Sequence, residues 1–332
     1  MTKHTRILVT GSTGNVGRRV VARLLDVTGE GAGAARADAK AADAVAADEA
    51  AADKAAADEA GSAAGPIRVR ALTRRPDTAG LPNGVEVRPG DLSDPDAMAA
   101  ALEGVDAVFL MWPFHGAEPA VAARLVEAIG RQAGRVVLLS SGAVLDGLAP
   151  DEQPHPVGRS HAAVEQLVER SGSAWTHVRP STFAANTLWW AERIRCADTV
   201  RGAYGAVSMA LVHEADIAEV VVRALTQDGH DGAAYPLTGP DVLTQAEQVH
   251  IIGEVLDRPL RWEELPREAA RRQLLADDGF PDAFVDPLLD GYADMLAAPP
   301  PIVTTTIEAV TGSPARSFRT WVSDHADTFR RP

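Results

Sequence analysis

Residues 6–17 read RILVTGSTGNVG, a short apolar run followed at once by Gly11, Gly14 and Gly17. The apolar run predicts a buried strand, and the helical spacing of apolar residues over 16–25 predicts a helix directly after the glycines. Glycines at such places permit a tight turn, close approach of the backbone to a phosphate, and close packing of helix on strand. The order strand, glycine loop, helix predicts a dinucleotide-binding loop. A purely structural glycine turn is the alternative, because the spacing differs from the usual G-x-G-x-x-G.

Alternating strands and helices follow this loop as far as about residue 181. The predicted strands are Arg6–Thr10, Val69–Thr73, Val85–Arg88, Ala107–Met111, Val136–Ser140 and Thr176–Arg179. The predicted helices are Val16–Leu25, one opened by Asp94 and Pro95, Pro119–Arg131 and Ser160–Ser171. Continuous apolar strands between helices predict an α/β fold with a doubly wound parallel sheet of Rossmann type.

The second half is less regular and is expected to form a small C-terminal cap region. A capping box, Thr244-Gln245-Ala246-Glu247, predicts a helix as far as Leu256. A further predicted helix, Asp282–Leu296, is stopped by three prolines at 299–301. We expect residues 1–180 to form the cofactor-binding domain and residues 181–332 to complete the fold over the substrate.

Residues 28–65 form a low-complexity segment in which 19 of 38 residues are alanine. A pentapeptide with aspartate at 38, 43, 48, 53 and 58 repeats within it. A five-residue step turns each aspartate about 140° around a helix, so the segment lacks an apolar stripe that could be buried. We expect a solvated insertion in a surface loop, which costs little stability. A partner-binding arm is the alternative.

The composition excludes several classes of protein. The chain of 332 residues is 46% hydrophobic and has a formal net charge of -14, which argues against a nucleic-acid partner. Its one cysteine, Cys196, excludes a disulfide framework and fits a reducing compartment. The chain shows neither a signal peptide nor an apolar run of about 18 residues, the length of a membrane span. We therefore expect a cytoplasmic protein that is a monomer or a weak homodimer.

The end of the second strand indicates which dinucleotide binds. Arg74 follows Gly17 by 57 positions, or by 19 once the 38-residue insertion is left out. Enzymes that use NAD place an acidic residue about 20 residues after the loop, on the ribose 2′-hydroxyl. Here the chain has Thr73-Arg74-Arg75, and a guanidinium pairs well with a 2′-phosphate. This favours NADP(H), unless the two arginines are simply solvated.

Several further stretches have the order and spacing of a known family. They are Gly11–Gly17, Ala71–Pro76, Gly90–Leu92, His161–Glu165, Trp175–Pro180, Phe183–Asn186 and Thr311–Phe318. With these stretches the chain resembles the NmrA-like branch of the atypical short-chain dehydrogenases/reductases. The resemblance covers nearly the whole chain except the insertion.

The resemblance implies a role for each part of the cofactor site. Residues 13–16 would line the pyrophosphate, Arg74 would bind the 2′-phosphate, and residues 91–92 would flank the adenine. Residues 111–113 and 140–141 would line the nicotinamide side. The expected cofactor-binding residues are Gly11, Thr13, Gly14, Asn15, Val16, Gly17, Arg74, Arg75, Asp91, Leu92, Met111, Trp112, Pro113, Ser140 and Ser141.

The chain departs from the wider superfamily in its catalytic motif, Tyr-x-x-x-Lys. The only lysines are at positions 3, 40 and 54. His161 takes the place of the motif's lysine and Val157 that of its tyrosine, while Gly142 stands where related enzymes keep a serine. Two hypotheses remain. Either hydride passes directly to an activated acceptor such as a quinone, imine or conjugated enone, or the protein binds NADP(H) without turnover and acts as a regulatory sensor through a protein partner.

Histidine and tryptophan side chains are the remaining candidates for chemistry. His161 is the catalytic candidate, as a general acid or a ribose ligand, and a histidine bonded to backbone is the alternative. His115 and His213 are expected to be structural. The pair Trp189-Trp190 could stack on a flat acceptor or belong to the core. A metal site is not expected.

Overall fold

A computed structural model describes residues 4–27, 66–112, 119–277 and 280–331. The predicted insertion at 28–65, Pro113 and His115 lie outside the described residues. The chain divides into two compact units, Met1–Arg179 with Ala218–Tyr235, and Pro180–Ile217 with Pro236–Pro332.

A seven-stranded sheet confirms the predicted fold class. The strands of the first half are β1 (Thr5–Val9), β2 (Ile67–Thr73), β3 (Glu86–Pro89), β4 (Ala107–Met111), β5 (Arg135–Leu139) and β6 (Ala174–Pro180). They pair in parallel in the order β3-β2-β1-β4-β5-β6. This is the doubly wound order, in which ligands bind at the carboxyl ends of the strands where the order reverses, between β1 and β4.

Helices connect these strands. They are α1 (Asn15–Val27), α2 (Pro95–Leu102), α3 (Pro119–Gln132) and α4 (Pro156–Glu169). The Asp94 carboxylate accepts hydrogen bonds from two backbone N–H groups of α2, as a predicted N-cap. α4 begins four residues earlier than its pattern predicts, because Pro156 takes the first helical position and His155 caps the helix through the Val157 N–H.

The core of the first unit lies between the sheet and its helices. β1 has buried side chains at Ile7, Leu8 and Val9, and β4 and β5 are apolar along most of their length. One cluster packs α2, α3 and α4 against these strands around Leu102, Leu110 and similar residues. Burial of these apolar side chains is the main favourable contribution to the folding of this unit. The sheet that it stabilises fixes the positions of the loops at the strand ends.

The remaining elements have shorter strands and more helices. The strands are β7 (Thr199–Gly202), β8 (Ser208–Met209), β9 (Ala233–Leu237), β10 (Leu243–Thr244) and β11 (Arg261–Glu264), of which β9 joins the large sheet beside β6. The helices are α5 (Ala191–Cys196), α6 (Glu214–Thr226), α7 (Gln245–Val255), α8 (Arg267–Leu275), α9 (Asp282–Ala297), α10 (Thr306–Thr311), α11 (Phe318–Asp324) and α12 (Ala326–Phe329).

Two predictions for this half are confirmed. Thr244 and Glu247 form the capping box of α7, and α9 spans the predicted helix and ends just before the three prolines. Across the described residues, none of the helices is both long and apolar enough to span a bilayer.

Candidate functional site

A cavity of about 440 Å³, partly open to solvent, lies at the carboxyl ends of β1 to β4 in the first unit. Its walls come from the loops that follow each of these strands. The lining residues are Gly11, Thr13, Gly14, Leu72, Thr73, Arg74, Arg75, Thr78, Ala79, Gly90, Asp91, Leu92 and Met111. The glycine loop and the arginines after β2, which lie 57 positions apart in the chain, therefore meet at one site.

The glycine loop has the backbone geometry that its sequence predicts. Gly11 has a φ of +60°, and a Cβ there would lie 2.0 Å from the Cε of Met111. A Cβ on Gly17 would lie 2.1 Å from the Gly11 carbonyl oxygen. Both positions therefore require glycine. The backbone comes close to the cavity while α1 packs directly on the loop.

Buried hydroxyl groups fix the loop to the sheet. The Thr10 hydroxyl donates to the Phe109 carbonyl at 3.1 Å and accepts from the Met111 N–H at 2.8 Å. The Ser12 hydroxyl donates to the Leu72 carbonyl at 3.3 Å. The loop is thus held against both β2 and β4, which is the preorganisation that a phosphate site needs.

Charged side chains form the other end of the cavity. The Arg74 side chain is 76% exposed, and its Nε lies 3.7 Å from a carboxylate oxygen of Asp91. Asp91 accepts hydrogen bonds from the hydroxyl and N–H of Ser93 at 2.6 and 2.9 Å. These bonds, with a smaller contribution from Arg74, lower the pKa of Asp91. Asp91 therefore stays ionised and already accepts two hydrogen bonds from Ser93, while most of the Arg74 side chain faces solvent.

These residues fit a bound NAD(P)H. The close approach of backbone at Gly11 and Gly14 suits a pyrophosphate, and the N-terminus of α1 carries the positive end of the helix dipole. Arg74 and Arg75 provide the positive charge at the end of β2. The cavity thus joins a phosphate loop to a cationic wall.

Other predicted residues lie beside the cavity or apart from it. Asn15 is exposed at the start of α1, whereas Val16 and Trp112 are buried. Ser141 is half-buried, and its hydroxyl accepts from the Ala143 N–H at 3.2 Å. These four residues and Gly17 do not line the cavity as it is formed by the described residues.

Ser140 takes part in a buried ionic network. Its hydroxyl donates to a carboxylate oxygen of Glu165 at 2.5 Å. The Arg179 guanidinium donates to both oxygens of Glu165, at 2.8 and 2.7 Å, and to Asp146 at 2.6 Å. Glu165 and Arg179 are both buried. The Ser140 side chain therefore links the end of β5 to α4.

The same region contains a group of potential metal ligands. Oxygen and nitrogen atoms of Glu165, Glu169 and His177 lie within 4.8 Å of one another. The Glu165 carboxylate is already neutralised by Arg179, whose positive charge would repel a cation. The arrangement is therefore that of an ion pair.

His161 lies on α4, one helical turn before Glu165. Its Nδ1 is 2.9 Å from the Val157 carbonyl oxygen, which can only accept, so Nδ1 carries a proton. Burial lowers the pKa of His161, against the opposing effects of this hydrogen bond and of Glu165. In the neutral ring the second nitrogen, Nε2, can therefore act only as an acceptor.

His213 has the structural environment expected of it. Its Nδ1 accepts from the Ala215 N–H at 3.0 Å, and its Nε2 lies 3.2 Å from Asp324. Asp216, in the first turn of α6 as the sequence predicts, also binds the backbone N–H of Arg316 at 2.8 Å. These contacts join α6 to the C-terminal helices.

Sequence reasoning missed part of the cavity wall. Thr78 and Ala79 line it from a short 3-10 helix, Pro76–Thr78, and its end. The signal available was Pro76 directly after the two arginines, which predicts a turn of the chain there. It does not predict that the turn folds back over the cavity.

A family model described as NAD(P)H-binding matches residues 54–228, just over half of the chain. The chain belongs to this NAD(P)H-binding family.

Named reductases are among its relatives. The chain is 38% identical over 326 residues, 97% of its length and 99% of the relative's, to the (4-alkanoyl-5-oxo-2,5-dihydrofuran-3-yl)methyl phosphate reductase of Streptomyces griseus. It is 35% identical over 249 residues, 74% of its length and 84% of the relative's, to an NAD(P)H azoreductase of Xenophilus azovorans.

A solved structure shares the fold. The NADPH complex of an NADPH-dependent quinone oxidoreductase from Escherichia coli matches with a TM-score of 0.71 at 20% identity, over 96% of this chain and 99% of that one. The two reductases among the relatives are named for small-molecule substrates. With its Rossmann-type sheet, its family and these relatives, the chain is an NAD(P)H-dependent oxidoreductase of the atypical short-chain dehydrogenase/reductase type.

Proposed function

We propose that this protein is an NADPH-dependent reductase that transfers hydride directly to a small conjugated acceptor. The observation that carries the proposal is the cavity in which the glycine loop faces Arg74 and Arg75. A strand-end arginine pairs with a 2′-phosphate by charge-assisted hydrogen bonds, which a ribose hydroxyl cannot match. NADPH is therefore preferred over NADH, and it supplies the hydride when bound.

Because the chain lacks the Tyr-x-x-x-Lys motif, we expect an acceptor whose reduction needs little proton donation by the protein. The Streptomyces griseus relative is named for a dihydrofuranone with an adjacent alkanoyl group. The ring double bond of such a compound is conjugated with two carbonyl groups. Hydride addition at the β-carbon leaves an enolate stabilised by both carbonyls, which takes its proton from solvent. A chain without Tyr-x-x-x-Lys can reduce such an acceptor, a quinone or an azo compound.

His161 serves this reaction as a hydrogen-bond acceptor. Its Nδ1 proton is held by the Val157 carbonyl, and burial favours the neutral ring. A neutral imidazole with this tautomer accepts an O–H, as from a ribose hydroxyl, and so orients the cofactor. We favour this role over that of a general acid.

In this proposal the two units bind different ligands. The first unit binds the cofactor, and the second binds the acceptor. The named activities among the relatives favour an enzyme over a regulatory sensor that acts through a protein partner. The single cysteine favours a reducing cytoplasm, and we expect a monomer or weak homodimer without a nucleic-acid partner.

One experiment tests the function. Purified protein is mixed with NADPH or NADH and with menadione, an azo dye or an acylated butenolide, and oxidation of the nicotinamide is followed by absorbance. We expect oxidation with at least one of these acceptors and a higher kcat/KM for NADPH. Tight NADPH binding without oxidation by any acceptor would favour the sensor instead.

A further inference from the structure

Two histidines bind the same residue of α4. The His155 Nδ1 accepts a hydrogen bond from the Val157 N–H at 3.2 Å, and the His161 Nδ1 lies 2.9 Å from the Val157 carbonyl oxygen. A ring nitrogen that accepts from an N–H carries no proton, whereas one that binds a carbonyl must carry one. The neutral rings of the two histidines therefore have opposite tautomers, with the proton on Nε2 in His155 and on Nδ1 in His161.

His155 is the N-cap of α4. Its backbone is extended, with φ of -98° and ψ of 139°, and its carbonyl accepts the first intrahelical bond, from the Arg159 N–H at 3.0 Å. Pro156 takes the first helical position and has no N–H, so the N–H of Val157 is the first within the helix that needs a partner. The usual N-caps are serine, threonine, asparagine and aspartate, and here an imidazole nitrogen takes the place of their oxygen. The cap thus fixes the residue whose carbonyl binds His161.

The same turn of α4 packs closely on the loop that follows β5. A Cβ on Gly158 would lie 2.5 Å from the Ala143 carbonyl oxygen. The Arg159 guanidinium donates to the Gln153 carbonyl at 3.0 Å. The buried amide of Gln153 accepts from the Leu145 N–H at 2.9 Å and donates to the Leu145 carbonyl at 2.8 Å. These contacts hold the second half of the turn, and the cap holds its first half.

The tautomer of His161 depends on where the Val157 carbonyl lies. A neutral imidazole can carry its proton on either nitrogen, and the hydrogen bond that one nitrogen makes decides which. The Val157 carbonyl holds the proton on Nδ1 and leaves Nε2 as an acceptor. If the first turn of α4 opened, this carbonyl would move away, and the ring could carry the proton on Nε2 as a donor.

We propose that His155 is a positioning residue, which sets the tautomer of His161 by capping α4 at Val157. That this tautomer serves hydride transfer rests on the proposed function, in which the Nε2 of His161 accepts a ribose hydroxyl. That His155 fixes the tautomer does not rest on it, because the tautomer can be measured without cofactor or acceptor.

The test is ¹⁵N NMR of the full-length protein with labelled histidine, at about pH 8, where a histidine with the usual pKa of about 6.5 is neutral. Ring nitrogens with and without a proton have well-separated chemical shifts, and the signals of His161 are those that His161→Gln removes. We expect the Nδ1–H tautomer for His161 in wild-type protein. His213, whose Nδ1 accepts from the Ala215 N–H, should show the Nε2–H tautomer and provides an internal reference.

Variants of His155 test the cap. In His155→Ala the loss of the N-cap hydrogen bond should raise the ratio of Nε2–H to Nδ1–H tautomer in His161 about two- to thirtyfold. His155→Asn keeps a side-chain oxygen that can accept from the Val157 N–H, and should keep the wild-type ratio. With any acceptor that wild-type protein reduces, kcat should fall in His155→Ala and recover in His155→Asn.

The matched control is the N-cap of another helix in the first unit. The Asp94 carboxylate caps α2 through the N–H groups of Asp96 and Ala97. Asp94→Ala should destabilise the protein by a similar amount to His155→Ala, because each variant loses a cap, but it should leave the tautomer of His161 unchanged. Urea denaturation compares the two losses of stability and shows that both variants are folded.

The outcomes separate the positioning role from the proposed function. A wild-type tautomer ratio in His155→Ala, the Nε2–H tautomer for His161 in wild-type protein, or an equal shift in Asp94→Ala would overturn the positioning role even if an acceptor is reduced. A shift in His155→Ala that is absent from His155→Asn supports it, even if no acceptor is reduced and the proposed function fails.

Discussion

The guanidinium of Arg179 forms a two-point ion pair with the carboxylate of Glu165, and both side chains are buried. The pair joins the end of β6 to α4, the helix that carries His161. Buried ion pairs contribute little net stability against an apolar replacement, but loss of one partner leaves an uncompensated charge.

Arg179→Met should therefore lower the free energy of unfolding by about 3–5 kcal/mol. The double variant Arg179→Met with Glu165→Gln should recover part of that loss. Urea denaturation measures both. Arg131→Ala, which breaks an exposed pair with Glu127, is the control and should change stability by less than about 1 kcal/mol. Similar effects for the buried and exposed pairs would contradict this interpretation.

Ser140→Ala should affect stability more than cofactor binding. The variant loses the hydrogen bond to Glu165, which is worth about 1.5–3 kcal/mol because the acceptor is charged. NADPH affinity should change less than twofold, since the hydroxyl is engaged away from the cavity. A tenfold loss of NADPH affinity would instead favour the nicotinamide-side contact that the family resemblance implies.

Arg74→Ala should remove much of the preference for NADPH. A charge-assisted contact to a phosphate is worth about 1.5–3 kcal/mol, or roughly ten- to hundredfold in affinity. NADH affinity should hardly change. Calorimetry with both dinucleotides provides the measurement, with Arg131→Ala as the exposed-arginine control. Equal affinities of wild-type protein for NADPH and NADH would contradict the assignment of Arg74.

Deletion of residues 28–65, with a short Gly/Ser linker from Val27 to Pro66, should leave NADPH binding nearly intact. The described residues on either side are already fixed, because α1 ends at Val27 and the Pro66 carbonyl accepts from the Thr5 N–H at 3.1 Å. A large loss of NADPH affinity in the deletion variant would show that the alanine-rich segment is part of the site.

The pH dependence of turnover distinguishes the two active roles of His161. Burial lowers its pKa, so the ring is neutral at pH 7 and becomes charged only as the pH falls below the usual value of about 6.5. If His161 accepts a hydrogen bond, it works in its neutral form, so activity should be constant above pH 7 and fall at acid pH. A general acid would give the opposite slope, with activity lost as the pH rises.

Variants of His161 show whether that pH dependence belongs to this residue. His161→Gln keeps a hydrogen-bonding group whose charge does not change with pH. This variant should therefore retain activity at pH 5.5 better than wild type does. His161→Ala should lose activity at every pH. Wild-type rates in both variants would show that His161 is structural.

Local sequence signals predict much of the fold and one end of the site. The glycine loop, the apolar strands and the caps at Asp94 and Thr244 depend on neighbours in the chain, and the structure has each of them. The arginines after β2 could be located because strand ends converge at one edge of a parallel sheet.

Contacts between distant residues could not be predicted in this way. The Ser140 hydroxyl bonds Glu165, 25 positions away, and Glu264 caps the turn at Tyr204, 60 positions away. These partners are chosen by tertiary packing, which leaves no periodic pattern in the sequence. Likewise, Trp190 packs edge to face on Trp262, which lies 72 positions away.

The most direct test uses NADPH carrying two deuterium atoms at the hydride-donating carbon of the nicotinamide, with an acylated butenolide as acceptor, because deuterium added to carbon does not exchange with water there. Direct hydride transfer predicts that the reduced butenolide carries one deuterium at its β-carbon, and that NADPH gives a higher kcat/KM than NADH. A product without deuterium, or no oxidation of bound NADPH by any conjugated acceptor, would contradict it.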